Sequence, residues 1–369
     1  MLKKYPVIKW SLIGLGSLIV MLFVFGWWFM SLIPKGDERV DVTKATPGEL
    51  PYITQNIPAG RGKVLAVVTS ATEMGSSGKP TGYELTELSR TYYVFQANGF
   101  EVDIASPKGG EPKVIIDAED MGAYDFAFLN DPVAQHKAKN TIPVAEIDPA
   151  DYEAVFFVGG KGAMFDFPEN LAIQHIVKQL YQTNRVVGAV CHGPAALVNV
   201  QLDNGQYLLE NKRVSGFTND EELLLIPEAE TIFPFLLQSE LERKGANFSE
   251  GSTYLEHISR DKNLVTGQNP WSTWKMAETM LLEMGYTPKP RTLTAEENAV
   301  EVLKTYDAQG SSSARELITT MYEDRDLQVE RVLIAKHGII SAMQGNIGRS
   351  IGLVRLTAYT KKVAQKHLR

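Results

Sequence analysis

The hydrophobic pattern changes character three times along the chain. Residues Trp10 to Pro34 carry no charge and hold dense apolar runs: Leu12-Ile13, Leu18 to Phe25 and Trp27 to Met30. A helix needs about 20 apolar residues to cross a bilayer, and Trp10 and Trp27-Trp28 suit the two interfaces. The run therefore predicts an uncleaved transmembrane anchor over residues 1–34. It is longer than the apolar core of a signal peptide, and no small-x-small cleavage site follows it. Lys3, Lys4 and Lys9 precede the run, while Lys35 and Arg39 follow it among Asp37 and Glu38. That asymmetry predicts a single-pass membrane protein with a cytoplasmic amino end and its body on the outer (periplasmic or extracellular) side. Residues 35–60 are rich in Pro and Gly with little periodicity, the mark of a linker.

Residues 61–285 alternate short β-branched runs with helical spacing. Lys63–Thr69, Phe100–Ala105, Ala154–Val158, Arg185–Val190, Arg213–Phe217 and Asn263–Gly267 read as strands. Thr81–Ala97, Leu171–Gln182 and Trp271–Met284 read as helices. Such alternation predicts an α/β domain with a mostly parallel sheet, whose chemistry sits at the carboxyl ends of its strands. Residues 107–153 form a long insertion, expected to be a rim or lid. Beyond Gly285 no strand pattern remains. Thr294/Glu297 and Ser313/Glu316 are spaced as capping boxes, predicting an all-helical extension over 286–369. Its last part, Arg331 to Arg369, has eight Lys/Arg and no acid. It reads first as a solvated face packed on the main domain, with contact to anionic lipid as the sharper alternative.

Composition narrows the chemistry. The 369 residues carry 37 Lys+Arg against 44 Asp+Glu, a net charge of −7, which argues against nucleic acid as a partner. The one cysteine excludes a disulfide framework and any cysteine-cluster zinc site. His136, His175, His257, His337 and His367 show no metal spacing, so no metal is expected.

Cys191 stands where an apolar strand, Val186 to Val190, meets a helix start marked by Pro194. Ala189 and Gly193 flank it, and a sharp strand-to-helix turn carrying a strained nucleophile needs such small residues. A sulfur at a helix amino terminus is expected to favour thiolate, and the same N–H groups can hold an oxyanion. With His192 adjacent, Cys191 reads as a nucleophile rather than an inert core thiol.

Several motifs resemble the ThiJ/PfpI superfamily, with its class I glutamine amidotransferase-like fold. The similarity is to its branch of glutathione-independent glyoxalases (glyoxalase III) and heat-shock holding chaperones. They are Ala189-Val190-Cys191-His192-Gly193-Pro194, Thr81 to Leu88 with Gly99 to Asp103, Phe128 to Pro132, Val214 to Asn219 and Leu264 to Pro270. The resemblance covers roughly Lys63 to Tyr286 and implies a flavodoxin-like, doubly wound sheet. It implies that Glu87 hydrogen-bonds the sulfur and shuttles protons, and that His192 is the base. Glu222 would orient His192, with Glu221 and Asp220 as rivals, and the Gly160 and His192 N–H groups would form the oxyanion hole. No cofactor is implied; the partners would be a small dicarbonyl substrate and, in the assembly, a second copy of the chain. The branch usually shows Gly-Gly-His-Gly where this chain has Gly159-Gly160-Lys161-Gly162. No H-x-E follows Cys191, against glutamine amide transfer. The implied activity is conversion of methylglyoxal to lactate without glutathione. A cysteine amidase or peptidase, and a membrane-tethered stress holdase with a redox-sensing cysteine, are the alternatives.

Overall fold

The computed structural model describes residues 6–34, 41–118 and 120–367. Seven strands form one sheet: β1 (Lys63–Val67), β2 (Glu101–Ser106), β3 (Ile142–Pro143), β4 (Ala154–Phe157), β5 (Val186–Val190), β6 (Ile258–Asp261) and β7 (Leu264–Gly267). Their order is β6-β7-β5-β4-β1-β2-β3. Every pairing is parallel except β6 with β7. β1, β4, β5 and β7 are the apolar runs of the sequence, and they are almost wholly buried, as strands covered on both faces must be. The chain steps outward from β1 to β3, then returns to β4 on the other side of β1. The resulting switch point lies between β1 and β4, where α/β sheets open a crevice. Register brings the carboxyl ends level there: Val67 pairs Phe157, Phe157 pairs Ala189, and Val190 pairs Gly267.

The chain divides into two compact units, Asp41–Arg291, and Thr292–Arg369 with the N-terminal segment. In the first, helices Leu85–Ala97 and Thr273–Glu283 pack together, and Leu171–Gln182 packs on β4 and β5. The second contains helices Ala295–Gln309, Ser311–Glu323, Arg331–Met343 and Ile347–His367. Thr294 and Glu297 form their capping box, whereas Ser313 lies inside its helix, which starts after Gly310 without a side-chain cap. The basic tail finds its counter-charges inside this unit, with Arg349 on Asp307 at 2.8 Å and Lys366 on Glu323 at 2.8 Å.

The membrane expectation fails. Among the described residues no helix is long and apolar enough to cross a membrane. The transmembrane anchor, the single-pass localisation and the outward placement of the body are therefore withdrawn. A helix does form over Pro6–Met30, but its described positions are interrupted by Ser11, Gly16, Ser17 and Gly26, short of the ~20 successive apolar residues a crossing needs. The side chains of Leu12, Ile13, Leu18, Ile19, Leu22 and Phe25, and the flanking charges Lys3, Lys4, Lys9, Lys35, Asp37, Glu38 and Arg39, lie outside what is described.

Two local readings also change. Arg213–Phe217 contributes only Arg213–Val214 as strand, paired with Asn247–Phe248 outside the main sheet. The insertion is no detached lid, because it supplies β3 and the helices Ala123–Leu129 and Pro132–Lys139. Phe128 is fully buried, edge-on to Tyr92 at 5.3 Å and 82°, a geometry favoured by the ring quadrupoles. Asp125, 1% exposed, ties the insertion to helix Leu85–Ala97. It accepts hydrogen bonds from Ser89, from Arg90 at 3.3 Å and from the Gly122 N–H at 2.8 Å. Removing one partner of a buried ion pair strands the other, at a cost of about 3–5 kcal/mol. Asp125→Ala should lower urea-unfolding stability by about that amount; a loss under about 1 kcal/mol would show the pair is not what anchors the insertion.

Candidate active site

β5 ends at Val190, and Cys191 turns the chain with φ +58°, a left-handed conformation costly for any residue bearing a Cβ. Two backbone bonds clamp it there: Cys191 N–H donates to the Gly267 carbonyl at 3.0 Å, and Phe217 N–H donates to the Cys191 carbonyl at 2.8 Å. The helix that follows is a 3-10 turn, Gly193–Leu197. Gly193 permits the turn because a Cβ on it would stand 2.3 Å from the Phe157 carbonyl oxygen.

Three elements deliver side chains to this elbow. Glu87 comes from the first turn of helix Leu85–Ala97 and is fully buried. Its Oε2 accepts the Gly159 N–H at 2.6 Å, and the carboxyl and the Cys191 thiol influence each other's ionisation. Gly159 makes this approach possible: a Cβ there would meet Glu87 Oε2 at 2.6 Å and Cys191 Cβ at 2.8 Å. His192 points Nδ1 at the sulfur, 3.3 Å away, and its Nε2 lies 2.5 Å from Glu222 Oε2. An ionised carboxylate only accepts, so Nε2 carries the proton and Nδ1 presents its lone pair to the thiol. Phe217 packs on the imidazole at 4.6 Å, with Phe233 stacked at 6.2 Å. The Gly160 N–H favours the ionised form of the sulfur. Neither it nor the His192 N–H donates to a backbone carbonyl among the described residues.

Electrostatics follow from burial. The Cys191 thiol is pushed well above its ordinary value by burial and then by the Glu87 charge, against the pull of Lys161 and the Gly160 N–H. Glu87 is raised well above the carboxylate range by burial and by Glu84, despite the Gly159 hydrogen bond and the neighbouring thiol. Burial raises both acids, and the Glu87 charge raises the thiol further, so the pair holds a proton between them. Burial also pushes Glu222 up, but its attraction to His192 and the hydrogen bond between them win, leaving it below the ordinary range.

All the expected site residues therefore meet at one point: Cys191, His192, Glu87, Glu222 and Gly160. The rivals of Glu222 go elsewhere. Asp220 is exposed. Glu221 caps its own helix through Thr218 and accepts bonds from Tyr254 N–H at 2.7 Å, Gln268 at 2.8 Å and Asn269 at 2.9 Å. Sequence reasoning missed two things. Glu84 reads as a solvated helix residue, yet it is half-buried with its carboxyl pushed up to about 7 by burial; its i−3 spacing from Glu87 was the available signal. The Phe217 and Phe233 rings on His192 come from distant loops and left none. The thiolate-favouring helix terminus is also reversed: a five-residue 3-10 turn offers a weak dipole, and burial outweighs it.

Comparison with known proteins gives the same outline. The sequence profile of the DJ-1/PfpI family matches residues 79–283. Glyoxalase 3 of Candida albicans is 32% identical over 236 residues, 59% of this chain and 97% of that protein. The glutathione-independent glyoxalase HSP31 of Saccharomyces cerevisiae is 30% identical over 229 residues, 58% of this chain and 94% of its own. Among solved structures, the Rapid Encystment Protein of Francisella tularensis aligns with a TM-score of 0.58 at 35% identity, covering 60% of this chain and 99% of that one. The crystal structure of glyoxalase III from Candida albicans aligns with a TM-score of 0.55 at 29% identity, covering 61% and 98%.

Burial of Glu87 has a measurable sign. Its folded value lies above its unfolded one, so the folded state holds the proton longer and stability falls as pH rises between the two. Glu87→Gln mimics the protonated acid. The variant should match the parent near pH 4 to 5 and exceed it increasingly toward neutral pH, by up to about 1.4 kcal/mol per pH unit. Denaturant titrations across that range would show a constant difference if Glu87 were ionised as freely as in the unfolded chain.

Proposed function

The chain belongs to the DJ-1/PfpI family, and from that premise we propose that it converts methylglyoxal to lactate without glutathione, with Cys191 as nucleophile. It is an enzyme of that family's type. The observation that carries the reading is a fully buried Glu87, coupled electrostatically to a sulfur that lies 3.3 Å from His192 Nδ1. Relatives about 30% identical, matched over nearly their whole length, are named Glyoxalase 3 or glutathione-independent glyoxalase. Acyl transfer alone needs nucleophile, base and oxyanion donors; a second acid against the sulfur suits proton transfer between carbons.

In this mechanism the sulfur adds to the aldehyde carbon, and the proton shared with Glu87 goes to the carbonyl oxygen, giving a hemithioacetal. Glu87 is then left as a carboxylate beside the carbon that bore the aldehyde hydrogen. It removes that proton, giving an enediolate whose charge rests on the former ketone oxygen. His192 Nδ1 takes the proton of the first hydroxyl and passes it to that oxygen, and Glu87 returns its own proton to the second carbon, leaving a thioester. Water, activated by His192 in its bond to Glu222, cleaves the thioester to lactate and free thiol. The Gly160 and His192 N–H groups receive the oxygen as charge develops. One water enters, and no electrons leave the substrate.

Full-length protein given methylglyoxal without glutathione should form lactate. Cys191→Ala should form none above the uncatalysed rate. Glu87→Gln should lower kcat about a thousandfold, the usual size of a general acid–base contribution, with Glu222→Gln falling between it and the parent. Turnover by Cys191→Ala at the parent rate would overturn the proposal.

A further inference from the structure

The loop after β4 runs past Cys191 and then turns back to the end of β1. Gly159 lies against the nucleophile: a Cβ on it would stand 2.8 Å from the Cys191 Cβ. The peptide joining Gly159 to Gly160 is fixed on its carbonyl side, where the Gly159 oxygen accepts the Glu84 N–H at 3.2 Å. The opposite side of that trans peptide is the Gly160 N–H, the oxyanion donor of the mechanism above. Gly160 then takes φ +97°, and its carbonyl accepts the Ala163 N–H at 3.1 Å, opening the short helix Ala163–Asp166. Gly159-Gly160-Lys161-Gly162 has three glycines in four residues, so the loop has little stiffness of its own and its position must be imposed from outside.

Asp166 ties the far end of this loop across the crevice. Its Oδ1 accepts the Thr69 hydroxyl at 2.7 Å and its Oδ2 accepts the Ser70 N–H at 2.7 Å, both from the segment that follows β1. Thr69 is fully buried. Its Oγ1 accepts the Ala71 N–H at 2.9 Å, so its one proton is directed to the carboxylate. Gly162 lets the two segments meet, since a Cβ there would stand 2.6 Å from Thr69 Cγ2. One donor on each oxygen suits the ionised acid and not the neutral one. Burial pushes the Asp166 carboxyl up to about 6, against these hydrogen bonds and the Lys108 charge. Of the elements around it, Thr69–Thr72 and the turn Gly193–Leu197 carry no ionisable side chain. The loop after β2 brings Lys108, whose N–H donates to Ser70 Oγ at 3.0 Å. The loop that meets Phe165 through Gly75 brings Glu73 and Lys79, the latter committed to Glu228 at 2.5 Å, and the Asp166 segment itself brings Lys161.

We propose that the Asp166 carboxylate is a positioning residue, a clip across the β1/β4 crevice that holds the Gly160 N–H where the oxyanion develops. Without the clip the loop keeps its Glu84 anchor, loses the one beyond Gly162, and lets the donor drift. Misplacing a catalytic group by about 1 Å costs up to about a hundredfold in rate. An oxyanion donor acts on the transition state more than on the bound substrate, so the loss falls on kcat and not on KM. This role rests on Cys191 as nucleophile and Gly160 as oxyanion donor, and not on which carbonyl the enzyme takes.

Rates would be measured on the full chain from pH 5 to 8, with melting curves to verify folding. Two substrates serve: methylglyoxal, and p-nitrophenyl acetate, whose tetrahedral intermediate uses the same oxyanion hole without the glyoxalase steps. In Asp166→Asn the side-chain amide sets its own N–H against one of the two donors, so the variant stands for the protonated acid. Its kcat should fall about tenfold or more at pH 8 with KM within about twofold of the parent. That gap should narrow toward pH 5, as the parent's own carboxyl takes up its proton. Thr69→Val should lose kcat likewise and Thr69→Ser keep most of it, and this pair serves if the Asn variant fails to fold. Hydrogen exchange over residues 157–163 should quicken at pH 8 in the Asn and Val variants and not in the Ser variant. Three results would overturn the clip: Asn and Val variants with the parent's kcat at pH 8, a gap constant from pH 5 to 8, or unchanged exchange in both. A parent that cleaves the ester and forms no lactate would overturn the glyoxalase reading instead, and the same kcat pattern on the ester would leave the clip standing.

Discussion

The site depends on holding one residue in a backbone conformation it would not choose. Cys191 sits at φ +58°, a state costing roughly 1–3 kcal/mol that persists only when the surroundings over-determine it. Here they do. β5 lies between β4 and β7, the Gly267 carbonyl takes the Cys191 N–H, and Phe217 donates to the Cys191 carbonyl. With the peptide on both sides fixed, the side chain must leave the strand toward the crevice at the β1/β4 switch point. Gly193 lets the chain pass the Phe157 carbonyl, and Gly159 leaves room for Glu87. The fold's rigidity is thus converted into the position of one sulfur.

That position puts ionisable groups out of water, and burial then governs their chemistry. A thiol at a helix terminus is expected to ionise easily; this one is held protonated by burial and by Glu87. The gain is a proton available at the point of attack, and a carboxyl that becomes a base once that proton has left. Charge is tolerated where it has partners: Glu222 stays ionised because His192 donates to it. Glu87 and Glu84, which burial dominates, drift toward neutrality.

The sequence alone settled what depends on local period and on side-chain size. Buried parallel strands read as apolar runs because both faces are covered, so β1, β4, β5 and β7 were legible within a residue or two. The elbow was legible because a strained turn tolerates only small flanking residues. The helical tail was legible from its spacing and from Thr294/Glu297. Tertiary structure alone decided which acid reaches the histidine. Successive helix residues point about 100° apart, so of Asp220, Glu221 and Glu222 one can face His192, and the helix's rotation against the sheet makes it Glu222. The same holds for Glu84, buried by a neighbouring segment that its own sequence does not reveal, and for Phe217 and Phe233, brought to the imidazole from separate loops. Burial is set by contacts distant in the chain, and here burial decides both which groups meet and which of them keep their protons.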